Sequence, residues 1–255
     1  MNYKLNIAWL YPDLMSTYGD RGNIICLTKR CRERAIDVTV KYITLETNNL
    51  SLPECNLIFM GGAQDRQQKL ASEDFLRVKA PVIKTMVENN IPALFVCAAY
   101  QAAGHYYRPY KGKDIKGASI FDLVTVHPGD QAKRLIGNVA ARLLVPSEIK
   151  GELIIGFENH GGRTTLGNNI KPLAKVISGR GNNGRDLYEG ALYKNAVGSY
   201  FHGPILPKNP VLADWLIKKA VEIKYGKKIK LALLNDNLAD LARKSILRKM
   251  NINYD

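Results

Sequence analysis

The sequence predicts an α/β fold: an open, largely parallel sheet flanked by helices, with a C-terminal helical appendage. Three observations predict it. Short apolar runs rich in β-branched and aromatic residues recur through the first hundred residues, and segments with helical spacing of apolar positions separate them. The chain, at 255 residues with 46% hydrophobic, is also long enough to bury a large core. Strands alternating with helices imply right-handed crossovers and a doubly wound sheet.

The elements follow in order. KLNIAWL (4–10), DVTVKYI (37–43) and NLIFMGG (56–62) read as strands, the last closed by two glycines. NIICLTKRCRERA (23–35) places apolar residues or Cys at 24, 27 and 31 and reads as the first helix. SEDFLRVKAPVIKTMVENN (72–90) continues helically despite Pro81, and the strand ALFV ends at Cys97 before another helix. From about residue 118 the texture changes. SIFDLVTV, RLIGNVAARLL and ELIIGFENH, separated by Gly, Pro and Asn, read as an antiparallel extension. A polar loop, GRGNNGRD (179–186), precedes the strands ALY and AVGSYF, and after HGPILPKNP two helices are expected over roughly 210–224 and 231–250. This gives a main domain over 1–207 and a helical extension, 208–255, packed on it.

Composition narrows the function. Lys and Arg outnumber Asp and Glu 37 to 23, and the net charge of +14 favours anionic partners; residues 208–255 carry +6 of it. In that segment Ile229, Leu233, Leu234, Leu238, Leu241 and Ile246 fall broadly on one side of a helix, suited to docking on its own domain, a partner or an anionic membrane surface. The cysteines Cys26, Cys31, Cys55 and Cys97 form no CxxC pair and have no histidine at zinc spacing, so they read as reduced thiols with neither metal nor disulfide. No segment approaches a membrane span, and a cytoplasmic protein is expected.

Cys97 sits where open α/β sheets bind ligands, at the carboxyl end of a strand. A nucleophile on a tight strand-to-helix turn needs small neighbours, and Ala98, Ala99, Ala102 and Ala103 supply them. The following helix points its N–H groups at the sulfur. In isolation, a free Cys after an apolar strand is more often a packed core residue. A thiol nucleophile needs a base. Of the four histidines, His202 ends a strand and projects at the same sheet edge; His105 and His127 read as structural, and His160 is ambiguous.

MGGAQDRQQ, VCAAYQ, GFENHGGRT and GSYFHGPILPKNP, in that order, resemble the class I (triad-type) glutamine amidotransferases of the cobyric acid synthase-like branch. LYPDLMSTYGDRGNI and GNNG before YEGALYKN are similar in particular to glutaminase subunits serving lipid II amidation. The resemblance implies that Cys97 attacks the amide of L-glutamine while His202 shuttles the proton. It further implies that Ala98 and Gly62 supply oxyanion N–H groups, that Gln101 and the turn at Gly161 contact glutamine, and that Arg134 holds its α-carboxylate. Arg134 also reads as a solvated charge beside Lys133. No metal or cofactor is implied.

Two departures stand out. Family members carry Gly-Gly where this chain has Ala98 and Ala99, which raises the question of φ > 0 there. Pro204 occupies the position of the triad carboxylate, two residues after His202, and the resemblance implies that the partner subunit supplies that group. Asp20 and Arg21 read either as a helix cap or as part of the cleft rim. The expected partner is a MurT-like, ATP-dependent Mur ligase that receives ammonia and amidates the D-glutamate of the lipid II stem peptide. A transient contact with lipid II or the inner face of the membrane goes with it, and no nucleic acid is expected. The competing readings are the glutaminase of a cobyric acid-type synthetase, against which stands the lack of GxxxxGK[ST], and a non-catalytic basic scaffold.

Overall fold

The computed structural model describes residues 3–253. Strands β1 (Lys4–Leu10), β2 (Asp37–Ile43), β3 (Leu57–Met60) and β4 (Ala93–Val96) alternate with α1 (Arg21–Arg32), α2 (Asp65–Asp74), α3 (Ala80–Glu88) and α4 (Ala98–Ala102). The chain continues through β5 (Tyr106–Arg108), β6 (Ile115–Lys116), β7 (Leu123–Val126), β8 (Leu135–Leu143), β9 (Leu153–His160), β10 (Arg163–Leu166) and β11 (Ala174–Ser178). It ends with β12 (Tyr188–Glu189), β13 (Ala191–Tyr193), β14 (Ala196–Ser199), α5 (Ile205–Lys208), α6 (Pro210–Tyr225) and α7 (Asn237–Lys249).

Six strands form the main sheet in the order β13-β14-β4-β3-β1-β2, parallel except for the edge hairpin β13/β14. The predicted parallel α/β sheet is therefore present. LIFM and ALFV are buried at every residue, as strands covered on both faces must be. Pro81 is accommodated because a π-helical turn, Phe75–Lys79, separates α2 from α3 and puts the proline in the first turn of α3, where its missing N–H costs little.

The second half is built from two further sheets, β10-β7-β5-β6 and β12-β11-β8-β9. The second of these is antiparallel throughout, as expected, whereas β5 and β7 pair in parallel. The helix after Cys97 is shorter than predicted. Its chain turns at Gly104, where a Cβ would lie 2.2 Å from Leu123 Cδ1, and enters β5. His105 thus lies beyond the helix, its ring nitrogens 3.0 Å from Ser119 Oγ and 3.0 Å from Asp122 Oδ1.

The expected boundary at residue 207 needs correction. α6 buries Leu212, Trp215, Leu216, Ile217 and Val221 in the same core as β1 and β3, because its apolar residues close one face of the main sheet. The extension begins after Gly226, which ends α6 in the left-handed conformation. Residues 231–236, expected in the last helix, are not helical, because they are held against α1: Arg34 Nε donates to Ala232 O at 2.7 Å, and Arg30 pairs with Asp236.

Candidate active site

Three connections converge at the carboxyl edge of the main sheet. Cys97 lies between β4 and α4 at φ 53°, ψ −105°, a conformation that L-residues rarely adopt. It is stabilised there by its N–H, which donates to Ser199 O on β14 at 2.8 Å, and by Gln101 N, which donates to its carbonyl at 3.0 Å. Ala98 and Ala99 are ordinary helical residues, and neither has positive φ. Only the cysteine carries the strain, so alanine in place of glycine at 98 and 99 costs nothing in backbone conformation. The N–H of Ala98, first in its helix, has no intrahelical acceptor.

His202 follows β14 and is fixed by a two-bond bridge to Phe157 on β9, with N···O distances of 2.9 and 3.2 Å. Its ring is fully buried. The edge of Tyr18, itself at φ 56°, meets it at a centroid distance of 5.0 Å. Nδ1 lies 3.2 Å from Asp20 Oδ1, whereas Nε2 has no hydrogen-bond partner among the described residues. Burial opposes protonation of this ring, but negative charge at the Cys97 sulfur and the Asp20 carboxylate outweigh it and raise the imidazole to about 10.

Gly62 joins the two halves. A Cβ there would lie 2.7 Å from His202 Cε1 and 3.4 Å from Cys97 Cβ, so the second glycine of MGG lets thiol and imidazole share one space. The expectation that Gly62 N–H serves the oxyanion is corrected: it donates to Asp20 Oδ2 at 2.7 Å. The resemblance implies a partner carboxylate on the histidine; within this chain it is Asp20 Oδ1 that meets Nδ1. Asp20 is not a helix cap: its side chain makes no capping bond and is drawn into the site.

Above Cys97 and His202 opens a cavity of about 390 Å³, walled by Tyr18, Ala63, Gln64, Gln67, Arg134 and Asn159. That volume suits a small metabolite. Arg134 is held at the wall by Asn159, to whose Oδ1 and O it donates from Nε and Nη2 at 3.0 Å each. Asn159 Nδ2 donates in turn to Tyr18 OH at 2.9 Å. Gly161 leaves room for the His127 ring, since a Cβ there would lie 3.0 Å from Nε2, and it sits at ordinary contact distance, 3.5 Å, from Arg134 Nη1. Gln101 does not reach the cavity. Its amide is buried between Gln68 Nε2 and Tyr200 OH, each at 3.2 Å, which corrects its reading as a glutamine contact.

His160 is structural. Its ring stacks on Tyr200 at 3.6 Å and its Nδ1–H donates to Gly162 O at 2.8 Å. Among the described residues no group of three or more His, Cys, Asp or Glu is placed to hold a metal ion. The sequence reading left Asp20 between a helix cap and the cleft rim, and it missed that the Tyr18 and Asn159 side chains meet in one wall of the cavity. Gly22 was the available signal: a Cβ there would lie 2.4 Å from Pro204 Cγ, so α1 begins hard against the turn that carries His202.

The CobB/CobQ-like glutamine amidotransferase domain matches residues 6–210. The chain belongs to this family. Among family relatives, the GatD subunit of the glutamine-hydrolysing lipid II isoglutaminyl synthase of Staphylococcus aureus is 39% identical over 222 residues, covering 87% of this chain and 86% of that one. The corresponding subunit of Streptococcus pneumoniae is 38% identical over 237 residues, covering 93% and 88%. A cobyric acid synthase of Pelotomaculum thermopropionicum is 30% identical over 132 residues, covering 49% of this chain and 25% of that one. The amidotransferase fold recurs in Thermotoga maritima PurLQS, with TM-score 0.57 at 15% identity over 89% of this chain and 100% of the other. It recurs also in the acivicin-bound glutaminase domain of Trypanosoma brucei CTPS, with TM-score 0.55 at 14% identity over 89% and 96%.

Proposed function

We propose that the chain hydrolyses L-glutamine to glutamate and ammonia and passes the ammonia to a MurT-like, ATP-dependent ligase. That ligase amidates the D-glutamate of the lipid II stem peptide in peptidoglycan synthesis. The observation that carries the reading is Cys97, held at φ 53° beside buried His202 at the floor of a small-molecule cavity.

The chemistry follows from these groups. The Cys97 sulfur, its proton held on His202, attacks the side-chain amide carbon of glutamine and forms a tetrahedral oxyanion to which Ala98 N–H donates. Return of that proton to the amide nitrogen expels ammonia and leaves a γ-glutamyl thioester. Water, deprotonated by His202, releases glutamate and restores the thiol. Arg134 at the cavity wall is a matched partner for the substrate α-carboxylate. The ammonia needs a shielded path, since in water it is protonated near neutral pH. A stable complex with the ligase, in the cytoplasm and meeting the inner face of the membrane through its lipid-linked acceptor, supplies one.

Coverage favours this reading over a cobyric acid-type synthetase: the chain spans 86% and 88% of the two GatD relatives but 25% of the cobyric acid synthase. The scaffold reading loses its motive, because Ala98 and Ala99 sit in the helix without strain. The test is glutamate release from L-glutamine by the chain co-expressed with a MurT-like ligase, wild type beside Cys97→Ser. Release that rises with the partner and vanishes in the variant supports the proposal; none from a folded wild-type complex refutes it.

A further inference from the structure

We propose that the groove between α1 and β2 receives an extended, acidic segment of another polypeptide, which adds as a strand to the open edge of the main sheet. It does so whether or not Cys97 hydrolyses glutamine. β2 is the terminal strand of that sheet, 7 residues long and paired to β1 in unbroken register, with neither proline nor bulge. Asp37 N–H donates to Tyr3 O at 2.8 Å and Ile43 O accepts Tyr11 N–H at 2.7 Å, so residues 37, 39, 41 and 43 turn their polar groups to β1. Val38, Val40 and Tyr42 turn theirs outward. Thr47 Oγ1 reaches Tyr42 O at 3.5 Å, which leaves Tyr42 N–H and both polar groups of Val38 and Val40 open. Folded proteins ordinarily blunt such an edge with charge, proline or a covering segment, because it is a template for pairing. The β2–β3 connection supplies no cover: its helical part is the short turn Asn49–Ser51, and Thr47 and Asn49 are bonded to Lys79 and Val78 instead.

The sheet face beside that edge is apolar and only partly covered. Trp9, Ile24, Val38, Val40 and Tyr42 line a groove of about 630 Å³ alongside α1. Tyr42 is 60% exposed, and its ring leans on Trp9 at a centroid distance of 5.5 Å. Trp9 is only 5% exposed, yet its Nε1–H meets no acceptor among the described residues. A strand laid along β2 supplies carbonyls to the open amides and, at alternate positions, apolar side chains to the groove. Charge chooses the occupant. Arg21 and Arg32, both exposed on the rim, pair with no acidic side chain among the described residues, whereas Lys29 is met by Glu33 at 3.7 Å. These two cations favour Asp or Glu on the incoming strand. A second copy of this chain, paired edge to edge, would bring the same cations to its own seam. An anionic lipid surface matches the charge but pairs none of the edge amides.

The test is binding of a synthetic octapeptide that alternates glutamate and valine to the full chain, read by fluorescence anisotropy and by amide hydrogen exchange. Saturable binding is expected, about tenfold tighter than that of the lysine–valine counterpart and weakened by salt, with exchange at Val38 and Val40 slowed in the complex. Val40→Pro deletes an outward N–H that the fold does not use; the variant is expected to fold, since an edge position of this kind accepts proline, and to lose binding. Arg32→Glu is expected to weaken the acidic peptide roughly threefold and to strengthen the basic one. Equal binding of the two peptides, binding that survives in Val40→Pro, or no saturation by about 1 mM overturns the proposal. If Val40→Pro does not fold, the wild type decides: binding without slowed exchange at Val38 and Val40 overturns it. Concentration-dependent dimerisation that slows the same amides assigns the edge to a second copy, and adsorption to phosphatidylserine vesicles without peptide binding assigns the face to a membrane; either overturns the proposal.

Discussion

His160 shows how burial leads in deciding a titration. Burial, then the positive charges of Arg163, His202 and Arg134, push its ring down to about 3, against the favourable bond to the Gly162 carbonyl. The fold therefore holds a neutral ring while the unfolded chain takes up a proton near its ordinary value of about 6.5. Its contribution to stability is present above that value and is lost as pH falls from about 6.5 toward 3. Glu158 and Glu189, both raised to about 7 by burial, act with the opposite sign between about 4.5 and 7. The test is thus the difference between wild type and His160→Phe in urea unfolding at pH 7 and pH 5. The variant, which keeps the stack on Tyr200, is expected to be less stable at pH 7 and to narrow that gap at pH 5. A gap independent of pH would contradict the assignment.

At the scale of elements, the site depends on how closely α1 approaches the turn after β14. Gly22→Ala places a methyl group 2.4 Å from Pro204 Cγ, backbone against a rigid ring, so α1 must move outward and carry Asp20 with it. Overpacking of this kind costs roughly 1–3 kcal/mol. A fall in kcat larger than the loss of stability explains is expected, read from glutamate release beside thermal unfolding; unchanged kcat in a destabilised protein would contradict the coupling. The same elements mark what was legible in the sequence. The strands LIFM and ALFV and the tight strand-to-helix turn at Cys97 could be read because continuous apolar runs and small residues have few other uses. Asp20 stayed open between a cap and the cleft rim, because the close approach of Gly22 to Pro204, 182 positions on, is a tertiary contact that no local pattern shows. The reach of Gln101 failed for a related reason: its partners Gln68 and Tyr200 come from distant elements.

For the whole molecule, charge is organised rather than spread. Arg30, nearly buried on α1, donates to Asp214 on α6 at 2.6 and 2.8 Å and to Asp236 before α7 at 2.5 and 3.0 Å. Together with Arg34, which donates to Asp214 Oδ2 at 2.6 Å and to Ala232 O at 2.7 Å, this guanidinium ties α1 to α6 and the C-terminal extension. Removing Arg30 strands Asp236 while Arg34 still meets Asp214, at a cost of roughly 1–3 kcal/mol given that both aspartates are partly exposed. Arg30→Ala is expected to free residues 227–253 for limited proteolysis while the main sheet stays folded; an unchanged cleavage pattern would contradict this role. The extension also presents Leu233, Leu238 and Leu241 to solvent, at 95%, 80% and 65% exposure, so the helix that the sequence pattern predicted uses only part of its apolar residues for packing.

Covalent labelling is the direct test of Cys97 as the glutamine nucleophile. The other thiols are pushed up by burial, Cys26 and Cys31 to about 12 and Cys55 to about 11, and none of them walls the cavity. The protein, in complex with its ligase, would be treated with an electrophilic glutamine analogue, and the modified residue identified by peptide mass spectrometry with and without excess L-glutamine. A single adduct on Cys97, suppressed by glutamine, is the predicted result; labelling spread over the four cysteines, or none at Cys97, would contradict the account.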